Sequence, residues 1–498
     1  MAPKTHPQFT VTWPVCFLVT TLLSLACFIC SPLLFSTPFP SIYGKFECFD
    51  FSKPQNDTNE EYRLFGTKTT YLAAREEIRK RFSSKLPAAT EQCSPIYMFF
   101  LNRHSIRYPG LKEIKSFREM LPTLRDHVVK SKKLNESQLH DFINWKFLIH
   151  DYDENRLSFS GKLESAITAQ IFYQTFPKLL DIHTVNFEVG VTPKVRTKET
   201  ADAFIRSLIE LQIGNNVSSL EQSNVLINEI FERKFPMEEK EVLVSHKICK
   251  KLMENNPPPK YPPEYKKFTE RKSFKNLLSS FSVRNGFDVT SDTLITMYRA
   301  CSYEMAINRY SPWCHLFTNT ELKVIDYLMD IAEYFDAYGI EAHRHLACTI
   351  IDDLYTKLET IIKQTNEHNA HDTMPLNATL YFSHENLLSK VLSFLQVFKY
   401  FPHNADIDDR MCLPTDREWQ SSLLVPFGTN FAAVLYRCND APKLSSYKLL
   451  PMVNEIPVRI RGCHHELCDI ETFFHEYLPE TGKSCDLKKI CKISKDNK

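Results

Sequence analysis

Glycine is scarce in this chain: 11 of 498 residues, well under the roughly 7% of average usage. No Gly-rich loop of the kind that cradles phosphates is present, so a phosphate, if bound, must be held by side chains. Net charge is nearly absent too. Sixty-one Lys and Arg against sixty Asp and Glu leave +1 at pH 7, which argues against a general nucleic-acid or membrane-surface binder. Any polyanion site must come from local clustering of basic groups. After the N-terminal segment no long apolar run recurs, no internal repeat is visible, and Ser494-Lys495-Asp496-Asn497-Lys498 is not an ER-retention signal.

Apolar residues make up 43% of the chain, enough for a sizeable core in one large domain or two to three ordinary ones. Residues 15–30 are nearly all apolar, after a segment whose basic groups are only Lys4 and His6. This reads as a signal peptide over residues 1–36, or as an uncleaved signal anchor; membrane attachment is expected only in the second case. Pro32 and Ser36 favour cleavage. Removing Cys16, Cys27 and Cys30 from fifteen cysteines leaves twelve, an even number that suggests a disulfide framework in a secretory compartment. Cys463-Cys468 and Cys485-Cys491 read as short local loops; the other pairings stay open. Asn-x-Ser/Thr sites at Asn56, Asn135, Asn216 and Asn377 agree with a secreted glycoprotein.

The chemistry centres on one stretch. Ile96-Tyr97-Met98-Phe99-Phe100-Leu101 is a continuous apolar run, the pattern of a strand buried on both faces. It ends in Arg103-His104-Ser105-Ile106-Arg107-Tyr108-Pro109. Open α/β sheets bind ligands at the carboxyl ends of their strands. Arg forks match phosphate oxygens, and a neutral His can attack phosphorus. Two further strand exits carry suitable groups: Arg196 after the strand at 185–191, and His384-Glu385 after the strand at 378–382. Arg103, Arg107, Arg196 and His384 would hold the phosphoryl oxygens. His104 would attack, and Glu385 would protonate the leaving alkoxide. Lys112, Lys115, Lys194 and Lys198 would form a basic rim.

Helical periodicity covers 111–129, 158–180 and most of the segment from the helix after Arg196 to about residue 365. Thr318 and Glu321 form a capping box, with Gly339 as a stop. Strands are expected again at 423–427, 431–436 and 447–460. The layout is sheet, helical insert, sheet. We expect an α/β fold with a central, mostly parallel sheet flanked by helices, divided as 45–200 and 371–495 around an all-α insert at 201–370. Cys463-His464-His465-x-x-Cys468 reads as a disulfide with two surface histidines rather than a metal site. His343-Arg344-His345 fits a phosphate-binding wall or a polar helix start equally well.

The stretch from Arg103 to Pro109 resembles the Arg-His-Gly-x-Arg-x-Pro signature of the histidine acid phosphatases, with Ser105 in place of Gly. Closer similarity is to the multiple inositol polyphosphate phosphatases, carried by Cys93-Ser94-Pro95, Arg107 to Lys112, Ser311-Pro312-Trp313-Cys314, Leu423 to Pro426 and Leu435-Tyr436-Arg437-Cys438. It runs from about Cys48 to Cys491. It implies a histidine-phosphatase-like fold and a metal-free, cofactor-free phosphomonoesterase acting on inositol polyphosphates such as inositol hexakisphosphate. His104 would be the phosphate acceptor, and Lys112 would help hold the ring. That subfamily has His-Ala-Glu where this chain has His384-Glu385-Asn386, so Asn386 falls on the proton donor's position. Other branches use His-Asp, and Glu385 occupies that adjacent place. The alternative is a catalytically impaired protein that binds inositol phosphates without hydrolysing them.

Overall fold

The computed structural model describes residues 46–53, 62–81, 85–213, 220–247, 262–367, 376–397, 406–407, 410–415, 417–438 and 446–477. The apolar N-terminal segment, Asn56, Asn216, Cys485 and Cys491 lie outside them. Cys48–Leu413 with Arg417–Lys498 form one compact unit. Of the remainder only residues 46, 47, 414 and 415 are described.

An eight-stranded sheet organises the chain. In chain order its strands are β1 (Cys93–Arg103), β2 (Asn186–Val191), β3 (Met237–Glu239), β4 (Leu376–Ser383), β5 (Asn430–Cys438), β6 (Tyr447–Val453), β7 (Ile456–Pro457) and β8 (Cys468–Asp469). Across the sheet they run β7-β6-β5-β1-β4-β2-β3, with β8 paired to β6. The sheet is mixed. β1, β4, β2 and β3 are parallel neighbours, whereas β5 to β8 pair antiparallel. The parallel part carries the strand exits that matter.

β1 lies between β4 and β5, and its residues from Tyr97 to Arg103 are all buried. Tyr97, Phe99 and Leu101 enter one apolar core, Met98 and Phe100 the other. Both faces being covered, the strand reads as an unbroken apolar run and not as an alternation. Each such ring or aliphatic chain contributes about 1.5–3 kcal/mol through burial. On the face of Met98 and Phe100 pack α2 (Phe159–Thr175) and α3 (Val195–Ile213), through Phe172 and Phe204. On the other face lie α1 (Leu111–Ser131) and the helical segment, including α4 (Asn319–Asp336) and α5 (Cys348–Asn366). The helical segment thus shares one continuous core with the sheet.

The capping box stands as the spacing predicts: Thr318 Oγ1 accepts from the Glu321 amide at 3.2 Å, and Glu321 Oε2 accepts from the Thr318 amide at 2.8 Å. The segment expected as a strand at 423–427 is different. Ser421–Leu424 is a short helix, held by Asp330 Oδ1, which accepts from the Ser421 amide and hydroxyl at 2.7 and 2.6 Å. A short buried apolar run has no period to tell strand from helix, and this tertiary bond decides. The strand expected at 447–460 breaks at Asn454 and Glu455, both at positive φ, where β6 turns into β7.

Among the described residues the disulfides are Cys48–Cys412, Cys93–Cys438, Cys301–Cys314 and the expected Cys463–Cys468. Asn135 is exposed and caps the helix Glu136–Asn144. Asn377 is half-buried in β4, its Oδ1 accepting from the Asn186 amide at 3.4 Å.

Candidate active site

Parallel register brings the three exits to one level. Arg103 pairs with Ser383, and Phe382 with Val191, so Arg103-His104, Thr192-Pro193-Lys194 and His384-Glu385 leave the sheet side by side. The His104 amide then donates to the Ser383 carbonyl at 2.9 Å, and the Arg103 amide to Thr429 at 2.8 Å. These bonds fix the path of the chain at the turn.

His104 is 3% exposed. Its Nδ1 lies 3.0 Å from the Ser105 carbonyl oxygen. A carbonyl only accepts, so Nδ1 carries the proton and Nε2 the lone pair. Burial, then Arg103, Arg107, Arg196 and His384, hold the imidazole well below its usual pKa, so it is neutral at physiological pH. Its ring centroid is 5.6 Å from that of His384. His384 Nε2 lies 3.0 Å from Thr192 Oγ1, which lies 2.9 Å from Thr197 Oγ1. Thr197 donates in turn to the Lys194 carbonyl at 2.7 Å.

Arg103 is pinned by the carbonyls of Thr67 and Val425, 2.7 and 2.5 Å from one terminal nitrogen, and stacks 4.7 Å from the Phe427 ring. Arg107 donates to the Tyr108 carbonyl at 2.8 Å. The Nε atoms of Arg103, Arg107 and Arg196 are buried without a hydrogen-bond partner among the described residues. Buried donors are normally satisfied. These three side chains line one place, and donors left unmet there suit an acceptor-rich anion.

That place is a cavity of about 430 Å³ lined by Thr67, Lys68, Arg103, His104, Arg107, Pro193, Lys194, Arg196, Val244, Glu333, His384, Glu385 and Asn386. Five cationic side chains face two carboxyls in it. Crowding of positive charge in a dry site costs free energy, and it registers in the acidities. Arg103 and Arg196 are each lowered to about 10 by burial and by Arg107. Lys68 is lowered to about 8, by burial first and by Arg107 and Arg103 after it, against the pull of Glu113 and Glu333. A phosphate dianion relieves all of these together. Among the described residues no group of three His, Cys, Asp or Glu side chains is placed to hold a metal ion.

Six of the seven residues that the sequence assigned to catalysis or phosphate binding line this cavity: Arg103, His104, Arg107, Arg196, His384 and Glu385. Lys112 does not. It is exposed in the first turn of α1, as is Lys115, while Lys198 is paired with Glu239 at 2.7 Å. Of the expected rim only Lys194 lines the cavity. Ser105 is not at positive φ, so its Cβ brings no backbone strain there. Its hydroxyl lies toward Gly428, where a Cβ would come within 3.5 Å of Oγ, and not in the lining. His343 is buried with Nδ1 3.1 Å from the Asp336 carbonyl oxygen, and neither it nor its neighbours Arg344 and His345 line the cavity.

Sequence reasoning missed Lys68 and Glu333. The signal for Glu333 was present: Asp326, Asp330, Glu333 and Asp336 recur every three or four residues on α4, too many acids for a face that otherwise packs. Asp326 and Asp330 are buried against Arg417, at 3.5 and 2.9 Å. Asp336 Oδ2 accepts from Asn386 Nδ2 at 2.5 Å and lies 3.3 Å from Lys390 Nζ. Lys68 also lines a second cavity of about 300 Å³. Its Glu164 accepts from the Tyr71 and Leu72 amides at 3.1 and 3.3 Å, which makes it a helix cap.

A parallel strand edge that presents a neutral, oriented imidazole among buried guanidinium groups defines an α/β enzyme built to handle phosphate esters. The histidine phosphatase superfamily (branch 2) model matches residues 97–450; the chain belongs to that superfamily and is a hydrolase of it. It is 24% identical over 452 residues to multiple inositol polyphosphate phosphatase 1 of Gallus gallus, covering 87% of this chain and 93% of that protein. To the enzyme of that name from Homo sapiens it is 23% identical over 457 residues, covering 87% and 89%. The crystal structure of the phytase from D. castellii shares the fold with a TM-score of 0.58 at 16% identity, over 82% of this chain and 83% of that one. That of the Bifidobacterium longum multiple inositol polyphosphate phosphatase, in complex with inositol hexasulfate, does so with a TM-score of 0.51 at 10% identity, over 81% and 94%.

Proposed function

We propose that this hydrolase removes phosphates from inositol polyphosphates, such as inositol hexakisphosphate, through a covalent phosphohistidine on His104. The observation that carries the reading is the His104 ring, held neutral with its Nε2 lone pair available and surrounded by the guanidinium groups of Arg103, Arg107 and Arg196, whose buried Nε atoms have no acceptor among the described residues. The names of the relatives support the substrate class.

Nε2 attacks phosphorus as the ester P–O bond breaks. The electron pair stays on the leaving oxygen, which takes a proton from Glu385. Water then attacks the phosphohistidine, gives a proton back, and the P–N bond breaks to regenerate imidazole. Arg103, Arg107, Arg196 and His384 hold the phosphoryl oxygens throughout, so the charge moved in each step meets donors already in place. Lys68 and Lys194 extend positive charge toward the ring's other phosphates. The disulfides and the apolar N-terminal segment support a place in the secretory lumen, reached by a leader that is cleaved or kept as an anchor. Among the described residues no helix is long and apolar enough to cross a membrane.

Phosphate release from inositol hexakisphosphate tests the reading, with His104→Ala as control. Turnover by the parent that disappears in His104→Ala, with secretion unchanged, is the expected result. Near-normal turnover by His104→Ala would refute the phosphohistidine. Asn386, tied through its amide to Asp336, is no titrating acid. Tight binding with no turnover in the parent would therefore favour a phosphate-binding protein that has lost its chemistry.

A further inference from the structure

The acid of this site has a partner that the reaction just described does not use. Glu333 projects from α4 into the same cavity as Glu385, the first residue of α6 (Glu385–Phe394). Its position is fixed from both sides. Three residues before it, Asp330 accepts from Arg417 Nε at 2.9 Å and from the Ser421 amide at 2.7 Å. Three residues after it, Asp336 is bound by Asn386 and Lys390. Both anchors are interactions of α4 with other elements, so α4 has little freedom to withdraw Glu333. Asn386 is the immediate neighbour of Glu385, which ties the placement of the two glutamates together. Glu385 Oε1 is buried and accepts from no donor among the described residues. Glu333 and Glu385 line the same cavity, and Glu385 is the charged group that weighs most on the Glu333 carboxyl. Two carboxyls that face one another in a closed site favour holding a proton between them.

Resting on the phosphatase reading, we propose that Glu333 and Glu385 work as a one-proton carboxyl pair, in which Glu333 supplies through Glu385 the proton that the leaving alkoxide takes up. Glu333 is thus a proton-sharing, positioning residue, and it comes from the helical segment and not from the sheet. The groups facing it are Glu385 from α6, Lys68 from the loop before Tyr71, Arg103 from the end of β1, and Asp336 on its own helix. Burial first, then Glu385 and Asp336, hold Glu333 well above the ordinary carboxyl range, with Lys68 opposing. Like carboxyls in contact separate into one that ionises readily and one that keeps its proton; the titration belongs to the pair. During esterolysis the pair goes from one proton to none, and Lys68 and Arg103 stabilise the dianion. The attacking water returns the proton in the second step, so the balance closes over the cycle. In this arrangement the site keeps a titrating acid although Asn386 stands two residues after His384.

The test compares Glu333→Gln, Glu333→Asp and Glu385→Gln with the parent, using inositol hexakisphosphate and 4-nitrophenyl phosphate across pH. Glu333→Gln is expected to lower kcat on inositol hexakisphosphate about 100-fold near neutral pH. It should move the alkaline limb of kcat to lower pH, because removing one carboxyl of the pair removes the repulsion that keeps the shared proton bound. KM should hold, and the nitrophenyl ester, whose leaving group scarcely needs a proton, should lose only a few-fold. Glu385→Gln should match it, and Glu333→Asp should fall between. A merely structural role predicts equal losses on both esters with an unmoved pH limb, and that result would overturn the pair. Infrared spectroscopy supplies a readout independent of turnover: the parent at neutral pH should show a protonated-carboxyl C=O band that Glu333→Gln removes. Absence of that band refutes the pair whether or not the protein hydrolyses anything. Loss of turnover by the parent on both esters, with the band present, refutes the phosphatase reading and leaves the pair standing.

Discussion

Replacing Asn386 with Asp changes one nitrogen to oxygen and little of the volume, yet the surroundings make it a severe substitution. Asn386 Nδ2 donates to Asp336 Oδ2 at 2.5 Å, in a site that is largely closed to solvent. The change removes a hydrogen bond to a charged group, worth about 1.5–3 kcal/mol. It also sets two carboxylates against one another, a repulsion of about 4 kcal/mol for unit charges near 4 Å apart at an effective dielectric of 20. Lys390, 3.3 Å from the same oxygen, offsets part of this. Uptake of a proton limits the rest, at about 1.4 kcal/mol per unit of pKa shift. We expect a net loss of about 2–4 kcal/mol at pH 7. The new carboxyl has a folded pKa raised above its unfolded value of about 3.9. Its penalty is therefore small near pH 4 and grows as pH rises toward the folded pKa. Urea unfolding of parent and Asn386→Asp at several pH values measures this directly. A loss that does not change with pH, or no loss at all, would show that the amide does not bridge Asp336 as described. Because the position is committed to Asp336, the acid is not expected to raise turnover of inositol hexakisphosphate; a clear gain would mean that the donor belongs at 386 after all.

Two further outcomes follow from the charge of the cavity. Lys68, held down to about 8 by burial and neighbouring cations, loses its charge as pH rises through that value, so KM for inositol hexakisphosphate should climb above pH 8. In Lys68→Met the KM should be higher and that rise absent, and a persistent rise would assign it to another group. Lys194 is exposed at the cavity mouth, where screening acts over about 8 Å at physiological ionic strength. Salt should therefore weaken binding of the polyphosphate more than of a singly phosphorylated ester, and Lys194→Ala should reduce that difference; equal salt dependence of the two esters would exclude selection by charge.

Sequence alone determined what local pattern and chemistry can carry. β1 was legible because a strand covered on both faces has no polar side to interrupt it. The Arg103-His104-x-x-Arg107 cluster follows it within a few residues, and side chains that close in sequence need no fold to bring them together. Arg196 and His384-Glu385 were found as strand exits, and parallel register then set them beside His104. The capping box at Thr318 and Glu321 was equally local. What the tertiary structure alone decided depends on contacts between segments far apart in the chain. Leu423 and Leu424 became helical because Asp330, about ninety residues earlier, accepts the Ser421 amide. Lys112 points elsewhere because the α1 helix leaves the sheet edge with that side exposed, whereas Lys68 enters from a loop with no motif. Glu333 and Glu385 stand 52 residues apart, and no spacing rule pairs them. They line one cavity because Arg417 and Asn386 fasten α4 on either side of Glu333, an arrangement that exists only once the chain has folded.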